Sequence, residues 1–183
     1  MTDLKPECAR LRQLGKARPT DESRRLAMQA LQSKFESIQV EGGKLLGRWG
    51  GRDAVEGLRA WLNRTCAKPK SHAARRQAAQ ALAQCIGPED ADWILDLYFS
   101  RPKSNEAYQL LPMVCALPWT SLQPRVEAEA VSPRVVRRRA AALAVVRSSF
   151  RGRRKLLERL RRDSDRDVSS LAAWHLSHEN AAV

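Results

Sequence analysis

The chain has 183 residues, of which 43% are hydrophobic and 29% are charged. This balance excludes wholesale disorder, because it provides enough apolar side chains for one compact domain or a short stack of repeats. Aromatic residues make up only 5%, and Ala and Leu dominate the apolar set, which favours closely packed helices. The formal net charge of +13 favours acidic partners over basic ones.

The N-terminal sequence and the cysteine spacing predict the cellular compartment of the protein. Residues 1–16 have mixed charge and no apolar core, so we expect no signal peptide, and no apolar run approaches membrane-spanning length. The four cysteines show neither a C-x-x-C pair nor zinc-ligand spacing, and Cys85 and Cys115 are expected at equivalent core positions. These features predict a cytoplasmic protein with reduced thiols. The Arg- and Ala-rich composition is typical of a GC-rich genome, which explains Arg in place of Lys but not a clustering of charge.

Nine helices are predicted in chain order from the spacing of apolar residues and from capping residues. Their approximate bounds are 20–37, 53–66, 71–85, 88–99, 105–117, 119–131, 133–150, 153–162 and 167–177. Thr20 or Asp21 is the predicted cap of the first helix. Pro112 is expected to bend or restart the fifth helix, and Pro124 weakens the prediction of the sixth.

A glycine-rich segment, residues 42–52, separates the first two predicted helices. It holds five of the nine glycines and is interpreted as a mobile loop. Trp49 between Arg48 and Arg52 is a candidate contact for a base or a peptide. The alternative is a flexible connector whose tryptophan folds back onto the helices. Gly42, Gly43 and Lys44 lack the spacing and the Ser/Thr of a phosphate-binding loop.

Four helical segments share one plan of a polar opening followed by small residues that end in Leu. They read ESRRLAMQAL, HAARRQAAQAL, RVVRRRAAALAV and RDVSSLAAWHL. Leu143 and Trp174 are 31 residues apart, and Leu82 precedes Leu143 by 61, about twice that distance. A helical period near 30 residues predicts a stack of two-helix units.

The pattern of Asp167, Val168, Leu171, Ala172 and Leu176, with the Arg-Ala-Ala openings, resembles HEAT-like repeats. The short bacterial type, similar to phycobilin-lyase repeats, is nearest. The resemblance covers roughly residues 70–180, and 20–66 more loosely. It implies an all-α fold, a short right-handed α-solenoid of about 4–5 helical hairpins and roughly 9–10 helices, as a single domain over 1–183. It also implies a scaffold that binds proteins through curved faces, in an adaptor, inhibitor or immunity-type role.

No catalytic constellation emerges from the sequence. His175 and His178 share a helix face with Glu179 nearby, but two imidazoles need further ligands to hold a metal. No serine or cysteine lies in a nucleophile motif. HEAT-like DNA glycosylases are basic and use Trp and Asp, yet Trp174 and Asp167 match them without any specific motif. We therefore predict no enzyme activity, no metal, no cofactor, no membrane contact and no small-molecule substrate.

Most of the positive charge falls in one predicted hairpin, residues 133–162. It holds twelve Lys or Arg and one acid, Glu158, a local net of +11, whereas the rest of the chain has a net of +2. Val136, Ala140, Leu143 and Phe150 are predicted to form a buried stripe on its first helix. The second helix is expected to bury its leucines.

The arginines of this hairpin are predicted to form a binding surface, with Arg139 and Arg147 at the margin of the buried stripe and the other cations further outside. The candidate partner-binding residues are Arg134, Arg137, Arg138, Arg147, Arg151, Arg154, Lys155, Arg159, Arg161 and Arg162. Helix neighbours of like charge cost stability, so a one-sign surface favours a partner over a solvated face. An acidic protein is preferred, and sequence-indifferent binding of a nucleic-acid backbone is the alternative.

Overall fold

A computed structural model describes residues 5–67, 72–100, 104–148 and 150–179. These ranges contain eleven α-helices, one 3-10 turn at Pro88–Asp90 and no strand, which confirms the all-α prediction. The helices are α1 Lys5–Leu14, α2 Asp21–Ala30, α3 Glu36–Trp49, α4 Arg52–Cys66, α5 His72–Leu82, α6 Ala91–Ser100, α7 Ser104–Ala116, α8 Trp119–Glu129, α9 Val135–Arg147, α10 Arg153–Leu160 and α11 Arg166–Glu179. None of these helices is long and apolar enough to cross a membrane.

The contacts divide the chain into two compact units, Met1–Ile86 and Gly87–Val183, and each is described by itself. In the first unit α3 is central and packs against α1, α2, α4 and α5. Trp61 is fully buried and donates a hydrogen bond from its indole nitrogen to Gln39 Oε1, 3.0 Å away. The indole therefore adds core volume without leaving its polar atom unsatisfied. The single domain over 1–183 stays a prediction.

The glycine-rich segment is the main correction to the predicted fold. Residues 42–49 belong to helix α3, and only Gly50 and Gly51, with φ of +65° and +98°, form the turn before α4. Gly43 faces Trp61 and Gly47 faces the backbone of Ala81, so closely that a Cβ atom would clash at each position. These glycines let neighbouring helices approach α3, which is why they occur inside a helix.

Two further predictions about the first unit are wrong. The predicted helix 20–37 is broken, because α2 ends at Ala30 and α3 begins at Glu36. Helix α1 was not predicted at all. Thr20 caps α2 as predicted, since its hydroxyl accepts a hydrogen bond from the Ser23 amide at 3.1 Å. Ser71, the first residue of the predicted helix 71–85, lies outside the described residues.

The second unit is built around α9, which packs against α7, α8, α10 and α11. Tyr98 of α6 is fully buried and donates a hydrogen bond to the Ala140 carbonyl of α9, 2.9 Å away. Burial raises the pKa of Tyr98 well above its ordinary value, because the ionised phenol loses its hydration. The neutral hydroxyl thus fixes α6 on the centre of the unit.

The buried face of α9 differs from the predicted stripe. Val136 is 38% exposed, and Leu143 and Phe150 are half-buried. Ala140 is buried as predicted, and the rest of the core consists of the small residues Ala141, Ala142, Ala144, Val145 and Val146. A central helix with neighbours on several sides buries more than one stripe, and alanines let those neighbours approach. Ser149, inside the predicted helix 133–150, lies outside the described residues.

One turn recurs before three helices, α3, α9 and α11. Ser33, Ser132 and Asp163 each accept a hydrogen bond from the amide two residues later, at 3.2, 3.3 and 2.8 Å. Gln39 and Arg138, each six residues beyond its serine, both donate a hydrogen bond back to that serine's carbonyl. These local side-chain caps satisfy the backbone where one helix ends and the next begins.

Candidate functional site

The cations of residues 133–162 fall into two sets, and the first set is held in ion pairs. Arg137 Nη1 lies 3.0 Å from Glu129 Oε1. Arg138 and Asp163 form a two-point pair at 2.8 and 3.0 Å, with side chains only 13% and 8% exposed. Arg139 forms a similar two-point pair with Asp165. The prediction that Arg137 and Arg138 point outward is therefore wrong.

The position of Arg137 in its repeat explains why it turns inward. Counted from the recurring turn, Arg137 occupies the place that Ile38 has in α3 and Val168 has in α11, and both of those residues are buried. Glu129, itself only 6% exposed, accepts a hydrogen bond from the Arg137 guanidinium. A cation at a core position needs such a partner because an unpaired buried charge is strongly destabilising.

Arg138 and Arg139 connect α9 to the turn before α11. Arg139 is 2.8 Å from Asp165 Oδ2 and 3.0 Å from Asp167 Oδ2. The hydrogen bond from Arg139 lowers the pKa of Asp165 to about 2, and the bond from Arg138 lowers the pKa of Asp163. Both carboxylates are thus held in the charged form. Arg138 was predicted to lie outside the buried stripe and Arg139 at its margin. Both instead join α9 to the turn before α11.

The second set of cations is exposed and makes no ion pair among the described residues. Its members are Arg134, Arg147, Arg151, Lys155, Arg159, Arg161 and Arg162. Arg154 belongs to neither set, since it has a surface pair with Glu158 at 3.4 Å. Such pairs contribute little stability. Arg153, which was not a candidate, is half-buried and donates to the Val146 carbonyl.

The surface cations gather around one groove, which we call the basic groove. It consists of two adjoining hollows of about 670 and 380 Å³ between α8 with its following turn and α10. Lys155 and Arg159 line both hollows, and Arg162 lines the larger one. These three residues are spaced four and three apart, so they lie on one face of α10 and its C-terminal turn.

Apolar side chains occupy both ends of the basic groove. Val131, 51% exposed, and Pro133 line the larger hollow. Phe150 lines the smaller one and stacks on Trp119 with ring centroids 3.5 Å apart. The sequence predicted Phe150 in the buried stripe of its helix and did not indicate this aromatic pair. The groove therefore offers cations in the middle and apolar contacts at each end.

Three carboxylates also line the basic groove: Glu127, Glu158 and Asp163. Glu127 accepts a hydrogen bond from Gln123 of the same helix, and Asp163 is held by Arg138. The surface is positive but of mixed sign. By sequence, the second unit has 16 basic and 12 acidic residues, and 11 of the acids lie outside residues 133–162. The local net of +11 is therefore offset by acids of the same unit.

The other candidate contacts lie in the first unit, at the end of α3. Arg48 donates to the Gly15 carbonyl at 3.0 Å, and Arg52 pairs with Glu56 at 3.6 Å. Trp49 is half-buried, and its carbonyl accepts a hydrogen bond from Arg24. The three side chains thus belong to helix ends and not to a mobile loop.

The cysteines and histidines add no chemistry to this site. All four cysteines are free thiols, but Cys115 is exposed, so the predicted equivalence with Cys85 in the core is wrong. His178 stacks on Trp174 with ring centroids 4.1 Å apart. The Glu179 side chain lies outside the described part of the chain. Among the described residues, no group of three His, Cys, Asp or Glu side chains has the arrangement to hold a metal ion.

The described helices and their recurring turn form an all-α fold of the kind found in HEAT-like repeat proteins. The structure is similar to the crystal structure of an archaeal HEAT-like repeat protein from Thermococcus onnurineus NA1, with a TM-score of 0.50 and 14% sequence identity. The similarity covers 93% of this chain and 79% of that one, and it shows the fold alone. No protein-family model and no curated protein matches the sequence.

Proposed function

We propose that the protein is a non-enzymatic cytoplasmic scaffold whose basic groove binds an acidic protein partner, in an adaptor, inhibitor or immunity-type role. The observation that carries this proposal is the contrast within one hairpin. Arg137, Arg138 and Arg139 have intramolecular carboxylate partners, whereas Lys155 and Arg159 line the groove without one among the described residues. Neighbouring like charges repel one another, and an acidic partner relieves that repulsion.

A nucleic-acid backbone is the second candidate, because exposed Arg and Lys side chains bind phosphates and Phe150 lines one hollow. The mixed sign of the groove favours protein. A phosphate chain in the groove would meet Glu127, Glu158 and Asp163, whereas a protein surface can pair with both signs. The exposed Val131 and Pro133 also suit a protein interface, because apolar side chains do not bind phosphate groups.

The test compares defined polyanions on two matched variants. Lys155→Gln/Arg159→Gln/Arg162→Gln removes three cations from the basic groove. Arg10→Gln/Lys16→Gln/Arg18→Gln removes the same residue types from exposed positions of the first unit, where they make no ion pair among the described residues. Fluorescence anisotropy at low salt measures the binding of poly-L-glutamate and of random-sequence single-stranded and duplex DNA.

We expect the groove variant to bind poly-L-glutamate about tenfold more weakly than the wild type, since three exposed ion contacts together amount to about 1.4 kcal/mol. The control variant should keep most of its affinity. An equal loss in both variants contradicts the proposal, because net charge and not the groove then controls binding. Tighter binding of DNA than of poly-L-glutamate, lost in the groove variant, establishes the second candidate instead.

A further inference from the structure

We propose that the segment which occupies the basic groove is an amphipathic acidic α-helix of the partner, with its axis along α10. This inference rests on the proposed function and adds the form of the bound segment. Its basis is the arrangement of the groove walls, the order of apolar and charged side chains along them, and the apolar floor.

The walls present side chains at helical spacing. Gln123, Glu127 and Val131 follow one another four residues apart along α8 and its turn, and all three line the groove. The opposite wall carries Lys155, Arg159 and Arg162 on one face of α10 and its turn. Both helices pack on α9, so the groove lies between two helices that share a third as support. A helix fits such a trough by ridges-into-grooves packing.

The step between neighbouring cations matches a helix better than an extended chain. Lys155, Arg159 and Arg162 repeat at about one helical turn, roughly 5.4 Å per step along the axis. A partner helix presents residues on one face with the same rise. An extended chain places residues of one face about 6.6 Å apart, so it loses register within two or three steps. A helix can therefore stay in register with these cations along the groove.

The floor and ends of the groove require apolar residues from the same face of the partner. Buried Leu156 and Leu160 line the two hollows, with Phe150 at one end and Val131 at the other. A helix satisfies this order with apolar residues at i and i+7 and acidic residues at i+3 and i+4. The apolar residues contact Phe150 and Val131, and the acids pair with the cations between them.

The experiment compares two synthetic helical peptides of identical composition on an Ala/Gln background. The matched peptide has Leu at i and i+7 and Glu at i+3 and i+4. In the permuted peptide the two Glu are moved to i+2 and i+5, on the opposite face. Circular dichroism establishes equal helicity, and anisotropy measures binding to the wild type, to the groove variant and to Val131→Ser. Because Val131 is exposed, its substitution should leave folding intact.

We expect the matched peptide to bind at least tenfold more tightly than the permuted one, and this preference to vanish in the groove variant. Val131→Ser should weaken the matched peptide several-fold and leave poly-L-glutamate unaffected. Equal affinity for the two peptides, or groove-dependent binding of poly-L-glutamate alone, overturns the helical occupant and leaves the proposed function standing. If neither the peptides nor poly-L-glutamate depend on the groove, the proposed function fails as well.

Discussion

Two glycines of α3, Gly43 and Gly47, determine how closely its neighbours pack. A Cβ at Gly43 would lie 2.4 Å from the Trp61 ring, and one at Gly47 would lie 2.6 Å from the Ala81 carbonyl oxygen. Ala81 belongs to α5, and its backbone cannot move without shifting that helix. Glycine is normally unfavourable within a helix by about 1 kcal/mol relative to alanine, so close packing must offset that cost here.

We predict that Gly47→Ala lowers the free energy of unfolding by about 2 kcal/mol, because the overpacking of α5 exceeds the gain in helix propensity. Gly57→Ala in α4 is the matched control. Its Cβ would approach the flexible end of Met28 too closely and make an ordinary contact with Leu31, so stability should stay the same or rise by up to about 1 kcal/mol. Urea denaturation of both variants measures the difference. Equal effects at the two positions would contradict the role given to Gly47.

At the scale of elements, the turn between α10 and α11 joins three helices through two carboxylates. Asp163 caps the turn and pairs with Arg138 of α9, and Asp165 pairs with Arg139. The Asp165 carboxylate also accepts a hydrogen bond from the Val168 amide in the first turn of α11. Hydrogen bonds from these donors lower the pKa of both carboxyls, so protonation must weaken the turn.

We predict a loss of stability on acidification between about pH 4 and pH 2. In the unfolded chain Asp165 titrates near its ordinary pKa of 3.8, whereas in the folded protein its pKa is about 2. The stabilisation is therefore present above pH 4 and is lost as the pH falls through the folded value. Asp165→Asn should be less stable than the wild type at pH 7, and this difference should shrink towards pH 2. Urea denaturation across this range measures it.

The control for acidification is Asp92→Asn, since Asp92 is exposed and makes no ion pair within the described ranges. Its effect should be smaller and should reflect only its place in the first turn of α6. If Asp165→Asn follows the same pH profile as the wild type, Asp165 does not contribute to acid sensitivity.

Helical periodicity and capping residues predicted the existence and approximate bounds of eight elements, although the buried face of α9 differs from its predicted stripe. It failed at α3, where the residues that pack most closely are glycines and carry no hydropathy signal. Composition alone therefore indicated a loop at 42–52. The net charge of residues 133–162 likewise did not predict which of their arginines are paired. Glu129 and Asp163 lie just outside residues 133–162, and only the turn brings them against Arg137 and Arg138.

Across the whole molecule, the net charge of +13 conceals two uses of arginine. Arg137, Arg138 and Arg139 pair with carboxylates and hold α9 to its neighbours. Lys155 and Arg159 lie in the same hairpin, yet they face a groove. The first use adds stability, and the second leaves positive charge available to a partner at little benefit to the fold. Composition cannot separate the two uses.

The two uses can be separated by matched triple variants that each reduce the net charge from +13 to +10. Lys155→Gln/Arg159→Gln/Arg162→Gln should change the free energy of unfolding by no more than about 0.5 kcal/mol, because exposed side chains without ion pairs contribute little. Arg137→Gln/Arg138→Gln/Arg139→Gln should lose about 3 kcal/mol or more, because Asp163 and Asp165 lose their cations and Glu129 keeps only its pair with Arg125. Urea denaturation at pH 7 gives both values. Equal losses would mean that the groove cations hold the fold together, and the surface assigned to an acidic partner would then be structural.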